Sequence, residues 1–85
     1  GRCRFINTGM GKAIQDNDGF IKIFAGRKNK KILGCHVLGS LASILIHEVI
    51  VAMKANLTIS ALQNAVHIHP ALSEVVQRAA NDIGF

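Results

Sequence analysis

The chain has 85 residues, 49% of them hydrophobic and 18% charged, which leaves room for one modest core and argues against disorder. Its net charge of +5 is moderate, and four of the ten basic residues lie in Arg27-Lys28-Asn29-Lys30-Lys31. With no surface aromatics to stack on bases and no nucleic-acid motif, that run reads as the solvated tip of a hairpin, and no nucleic-acid partner is expected.

In chain order, Arg2-Cys3-Arg4-Phe5-Ile6 alternates polar and apolar residues, the period of a half-buried strand. Asp16-Asn17-Asp18-Gly19 is a turn signal, because Asp and Asn accept local backbone hydrogen bonds and Gly tolerates positive φ. Phe20 to Ala25 reads as a strand, with Ile21 and Ile23 on one face and Phe20, Lys22 and Phe24 on the other. Beyond the basic tip, Ile32 to Leu38 makes the return strand of an antiparallel hairpin, with Leu33, Cys35 and Val37 expected on one side. Gly34 inside it suggests a bulge or a close backbone neighbour.

The second half reads as helices. Ser40 is placed to cap a helix from about Leu41 to Ala55, with Asn56 as a left-handed stop. Leu41, Ile44, Leu45, Ile46, Val49, Ile50, Val51 and Met53 surround this helix, leaving a narrow polar stripe of Ser43, His47 and Lys54. A helix apolar on nearly all sides should be covered on nearly all sides. The chain offers too little material for that, so a second covering surface is expected, from a partner chain or from further domains. His47 and Glu48 interrupt the apolar stretch Ile44 to Met53, which falls well short of the ~20 apolar residues a bilayer crossing requires; no membrane partner is expected.

Thr58 or Ser60 opens a short helix through about Ala65. A last helix follows Pro70, with Leu72, Val75, Val76, Ala79, Ala80 and Ile83 at i, i+3, i+4, i+7 spacing. Strands followed by helices imply an α+β domain, an antiparallel sheet with helices packed on one face. No repeat or linker divides residues 1–85. The start at Gly1-Arg2, without an initiator Met, is what a fragment, a processed product or a trimmed tag would show.

Chemistry concentrates at His67-Ile68-His69-Pro70-Ala71-Leu72-Ser73-Glu74. Pro70 pushes His69 into an extended conformation and suits the first position of a helix. Glu74 then lies about one and a half turns further on, and helical side chains lean toward the N-terminus, so its carboxylate is expected to reach the His69 imidazole. Such a pair selects the ring tautomer and favours the charged imidazolium, as a general acid–base unit requires. The alternative is that His69 caps the helix and Glu74 sits favourably near its positive end. His67 and His69, if extended, point the same way, and H-x-H pairs serve in zinc sites. A third ligand would have to come from His36, His47 or a carboxylate, none at a telling spacing. No metal is expected, and His67 reads as a packed or hydrogen-bonded neighbour.

Cys3 and Cys35 form no CxxC or zinc-ligand pattern. Cys35, in an apolar run, reads as a reduced, buried thiol, consistent with a cytoplasmic, reducing setting.

From about Asp16 onward the chain resembles the C-terminal dimerisation domain of the FAD- and NAD-linked disulfide oxidoreductases, and most closely its dihydrolipoamide dehydrogenase branch. The resemblance rests on Asp18-Gly19-Phe20-Ile21-Lys22-Ile23, on Ile32-Leu33-Gly34-Cys35-His36-Val37-Leu38-Gly39, on Ala42-Ser43, and on the His67 to Glu74 segment, which is similar to an H-x-H-P-T-L-S-E signature. It implies a homodimer in which His69 and Glu74 form the acid–base pair delivered to the partner subunit's flavin and redox disulfide, with His69 and Pro70 near the partner's FAD. His69 would then accept a proton from a dihydrolipoyl dithiol, with NAD as the final acceptor and a lipoyl-bearing multienzyme complex as a further partner. It also implies FAD and NAD domains beyond these residues, so the chain alone is expected to bind neither cofactor and to be inactive. Ala71 stands where Thr is usual, and Cys3 and Cys35 match no redox motif. Ser73-Glu74-Val75 carries one acidic residue, where the glutathione-reductase branch places two, and the Tyr of the mercuric-reductase branch has no counterpart. A related thiol or disulfide reductase and a non-enzymatic self-association module are the alternatives.

Overall fold

A computed structural model describes all residues 1–85. Strands β1 (Arg2–Arg4), β2 (Phe20–Ala25) and β3 (Ile32–Leu38) form an antiparallel sheet in the order β1-β2-β3. Four helices accompany it: α1 (Gly9–Ala13), α2 (Ala42–Lys54), α3 (Ser60–Asn64) and α4 (Glu74–Asp82). The expected α+β architecture is present.

Alternation in β2 explains the sheet's two faces. Ile21 and Ile23 are fully buried and align with Cys3, Val37 and Cys35 across the ladder. Lys22 and Phe24 face the other way, and Phe24 meets His36 edge-on. The inner face is covered by α4, packed on β1 and β2, and by α2, packed on β3. In α4 the expected stripe closes the core: Val75, Val76, Ala79 and Ala80 are fully buried. Burying each valine in this way contributes about 1.5–3 kcal/mol.

Four local expectations need correction. The first strand stops at Arg4 instead of Ile6. Phe5–Asn7 forms a 3₁₀ turn, with the fully buried Phe5 ring as its anchor, and Thr8 then caps α1 by accepting from the Gly11 N–H at 3.0 Å. In β3, Ala25 pairs with Ile32 but Phe24 pairs with Gly34, so Leu33 is an extra residue. This bulge reverses side-chain parity: Ile32 turns into the core, and Leu33 is exposed instead of joining Cys35 and Val37. Ser40 does not cap α2. Leu41 occupies the cap position in a left-handed conformation, while the Ser40 N–H donates to Asp16 at 2.8 Å. Cys35 is half-buried, while Cys3 is the buried thiol.

Asp16 fastens the turn to the β3–α2 junction. Its carboxyl is held below the usual carboxylate range, chiefly by the Ser40 N–H and with help from Gly19. Gly39 is needed in that junction: its φ is +130°, and a Cβ there would stand 2.8 Å from the Phe5 ring. Asn56 is left-handed (φ 56°) after α2, as its residue type suggests, and α3 lies within the expected short helix. The basic run Arg27 to Lys31 forms the expected solvated connection between β2 and β3.

On α2, only Leu45, Val49 and Ala52 reach the core. Leu41, Ile44, Ile50 and Val51 are exposed, as the excess of apolar residues around the helix predicts. No helix of the structure is long and apolar enough to cross a membrane.

Candidate functional site

Between α3 and α4 the chain runs through an extended strap, Ala65 to His69, and then a turn, Pro70 to Ser73. The His69–Pro70 peptide bond is cis. Pro70 is not the first helical residue: three backbone bonds of the i to i−3 type, from Glu74, Val75 and Val76 to Ala71, Leu72 and Ser73, lead into α4. Glu74 opens α4 instead of lying one and a half turns inside it.

The structure brings His69 and Glu74 together as expected. His69 Nδ1 lies 3.1 and 3.0 Å from the two Glu74 carboxylate oxygens. The Ala71 N–H also donates to Glu74, at 3.3 Å. The Glu74 side chain is only 14% exposed, whereas the His69 ring is 74% exposed. Hydrogen bonding from His69, then from Ala71, holds the Glu74 carboxyl below its ordinary value. An ionised carboxylate can only accept, so Nδ1 carries a hydrogen and Nε2 is the nitrogen that turns to solvent. A ring with a fixed tautomer, an oriented carboxylate behind it and an open nitrogen in front is equipped to accept a proton.

His67 does not share the direction of His69. Its side chain is 4% exposed, and Nε2 lies 2.5 Å from Glu48 of α2, while Nδ1 donates to the Ala65 carbonyl at 2.9 Å. Both ring nitrogens are occupied. The Ala65 carbonyl also accepts from Gln77 of α4 at 3.2 Å, and Gln77 donates to the Gln63 carbonyl at 3.0 Å. The strap is therefore clamped to α2 on one side and to α4 on the other. Val66 and Ile68, on either side of His67, are 91% and 69% exposed.

Spacing found one of these two pairs and missed the other. Glu48 appeared only as an interruption in an apolar stretch, and Gln77 gave no signal at all; a partner 19 residues away leaves no local pattern. No three His, Cys, Asp or Glu side chains converge at the strap or elsewhere, so His36 and His47 join neither His67 nor His69. The thiols are unreactive in character: burial raises Cys3, and it pushes Cys35 up to about 11.

A three-stranded sheet with an apolar helix left bare and an outward His–Glu pair beside it defines an assembly domain that presents a polar site. The chain matches the model of the pyridine nucleotide-disulphide oxidoreductase dimerisation domain over residues 1–80, and it belongs to that family. It is similar to the dihydrolipoyl dehydrogenase of Corynebacterium glutamicum, with 40% identity over 79 residues, covering 93% of this chain and 17% of the relative. The mitochondrial dihydrolipoyl dehydrogenase of Dictyostelium discoideum is 35% identical over 82 residues, covering 96% of this chain and 17% of the relative. The crystal structure of LpdA from Mycobacterium tuberculosis superposes with a TM-score of 0.91 at 27% identity, covering 96% of this chain and 18% of that one. The chain thus spans under a fifth of the length of these relatives.

Proposed function

We propose that this domain pairs two copies of a dihydrolipoyl dehydrogenase-like flavoprotein, and that His69 and Glu74 are its acid–base pair, delivered to the partner subunit. The observation that carries the reading is the outward His69 ring, tied through Nδ1 to Glu74 and open at Nε2. The exposed faces of Leu41, Ile44 and Val51 supply a surface on which a second subunit can seat.

In this reading His69 Nε2 takes the S–H proton of a dihydrolipoyl dithiol, leaving a thiolate as the nucleophile for disulfide exchange. Glu74 keeps the ring in the tautomer that can accept that proton and stabilises the imidazolium that results. FAD and NAD would take up the electron pair. We assign both cofactors to domains outside these residues, and the isolated domain to an inactive state.

The test is His69→Ala in the full-length flavoprotein. Dimerisation and FAD binding should persist while dithiol oxidation falls by about 10²–10⁴-fold. Turnover close to the unmodified enzyme would remove His69 from the chemistry.

A further inference from the structure

The strap carries a second His–carboxylate pair that the acid–base role leaves unused. It is built differently at every point. The Ala65 carbonyl can only accept, so His67 Nδ1 must donate, and a single proton is left to join Nε2 and Glu48 across 2.5 Å. With both nitrogens engaged and the ring shielded, His67 has no atom to offer a substrate.

Its location matters more than its chemistry. Glu48 lies on α2 four residues after Ile44 and three before Val51, so the three share one stripe of the helix. Ile44 and Val51 are exposed, and so are Val66 and Ile68 on either side of His67. Glu48, 32% exposed, is therefore a lone carboxylate within a bare apolar surface, and His67 is what neutralises it there. An unpaired carboxylate in such a place would strongly oppose covering the surface. Paired with His67, it presents no net charge.

We propose that Glu48 and His67 are a positioning pair: they fix the strap, and with it the reach of His69, to the same helix whose outer face seats the partner subunit. The inference rests on the acid–base assignment of His69 and Glu74. It adds that the placement of His69 is set from α2 as well as from its own carboxylate. Only Ile68 separates the anchored His67 from His69, so a strap freed from α2 displaces the catalytic ring by about an ångström or more. Displacements of that size cost reactions on the order of 10²-fold.

The experiment uses the full-length flavoprotein with Glu48→Ala, Glu48→Gln and His69→Ala. Three readouts are taken: kcat and KM for dithiol oxidation, sedimentation, and the titration of the Glu74 carboxyl followed by carbon NMR with selective labelling. Glu48→Ala should lower kcat about 10- to 100-fold with KM changed less than about twofold, because a misplaced base is missed in the transition state and not in binding. Its Glu74 carboxyl should titrate closer to an ordinary carboxyl, as His69 is no longer held against it. Glu48→Gln can still hydrogen-bond the ring and should recover most of kcat and the low Glu74 titration.

Should Glu48→Ala leave no folded dimer, Glu48→Met, which fills the space without accepting a hydrogen bond, takes its place in the comparison with Gln. Unchanged kcat and an unchanged Glu74 titration in the Ala or Met variant would overturn the positioning role. So would a Gln variant as impaired as the Ala variant, which would make the carboxylate itself a reactant. If instead His69→Ala keeps full turnover, it is the acid–base assignment that fails, and the positioning of His69 falls with it.

Discussion

Two histidines, two residues apart on one strap, each face a glutamate, and their surroundings assign them opposite work. His67 is enclosed, with a partner on each nitrogen, and joins α2 to the strap. His69 stands out into solvent with one partner and one open nitrogen. The residue types are the same, but the His67–Glu48 contact, at 2.5 Å, is shorter than the 3.0 Å between His69 and Glu74. In the proposed reading, what separates the holding pair from the reacting pair is the number of ring atoms left free and whether anything can approach them. H-x-H spacing alone says nothing about that.

The comparison breaks most visibly in activity. His69→Ala should remove about 10²–10⁴-fold of dithiol turnover in the full-length enzyme, measured by steady-state assay, with the dimer intact. His67→Ala should cost less in turnover but more in stability. It leaves Glu48 without its His67 partner, at about 1–3 kcal/mol, read as a lower denaturant midpoint. His69→Ala should cost less in the same measurement, since its ring is largely exposed and Glu74 keeps the Ala71 N–H. Equal destabilisation by the two substitutions would erase the distinction between them.

A finer test is the acid limb. Glu74 is held below its ordinary value near 4.5, chiefly by His69, so its pairing is fully present above that pH and is lost as pH falls through the lower, folded-state value. His69→Ala should move the Glu74 titration upward, whereas a titration unmoved by that substitution would mean that His69 is not the cause. The smallest effect is expected from Ala71→Thr. It adds a hydroxyl near the turn without touching the N–H that already bonds Glu74, so turnover should change less than about twofold.

Much of this was legible in the residues. The hairpin, the sheet faces in β2, the apolar excess on α2, the stripe on α4 and the His69–Glu74 pair all follow from short-range periodicity and spacing. What was not legible has physical reasons. The α1 turn contains Gly9 and Gly11, which weaken any helical signal, and it forms because Thr8 caps it and Phe5 anchors it. The Leu33 bulge depends on registering Ala25 with Ile32, a relation between strands that neither strand states. The start of α4 shifted to Glu74 because the turn after Pro70 closes with i to i−3 bonds before helical ones begin. Glu48 and His67 are 19 residues apart and belong to different segments, so their pairing has no local pattern to reveal it.

The depth at which Cys35 sits has a bearing on fidelity. If the full-length protein passes electrons between sulfurs, as proposed, a spare thiol in the same molecule is a competitor for mixed disulfides and for oxidants. With its thiol pushed up to about 11, Cys35 is ionised to only about one part in ten thousand at neutral pH, and the thiolate is the species that exchanges. The fold thus keeps the Cys35 sulfur in its protonated, slowly exchanging form.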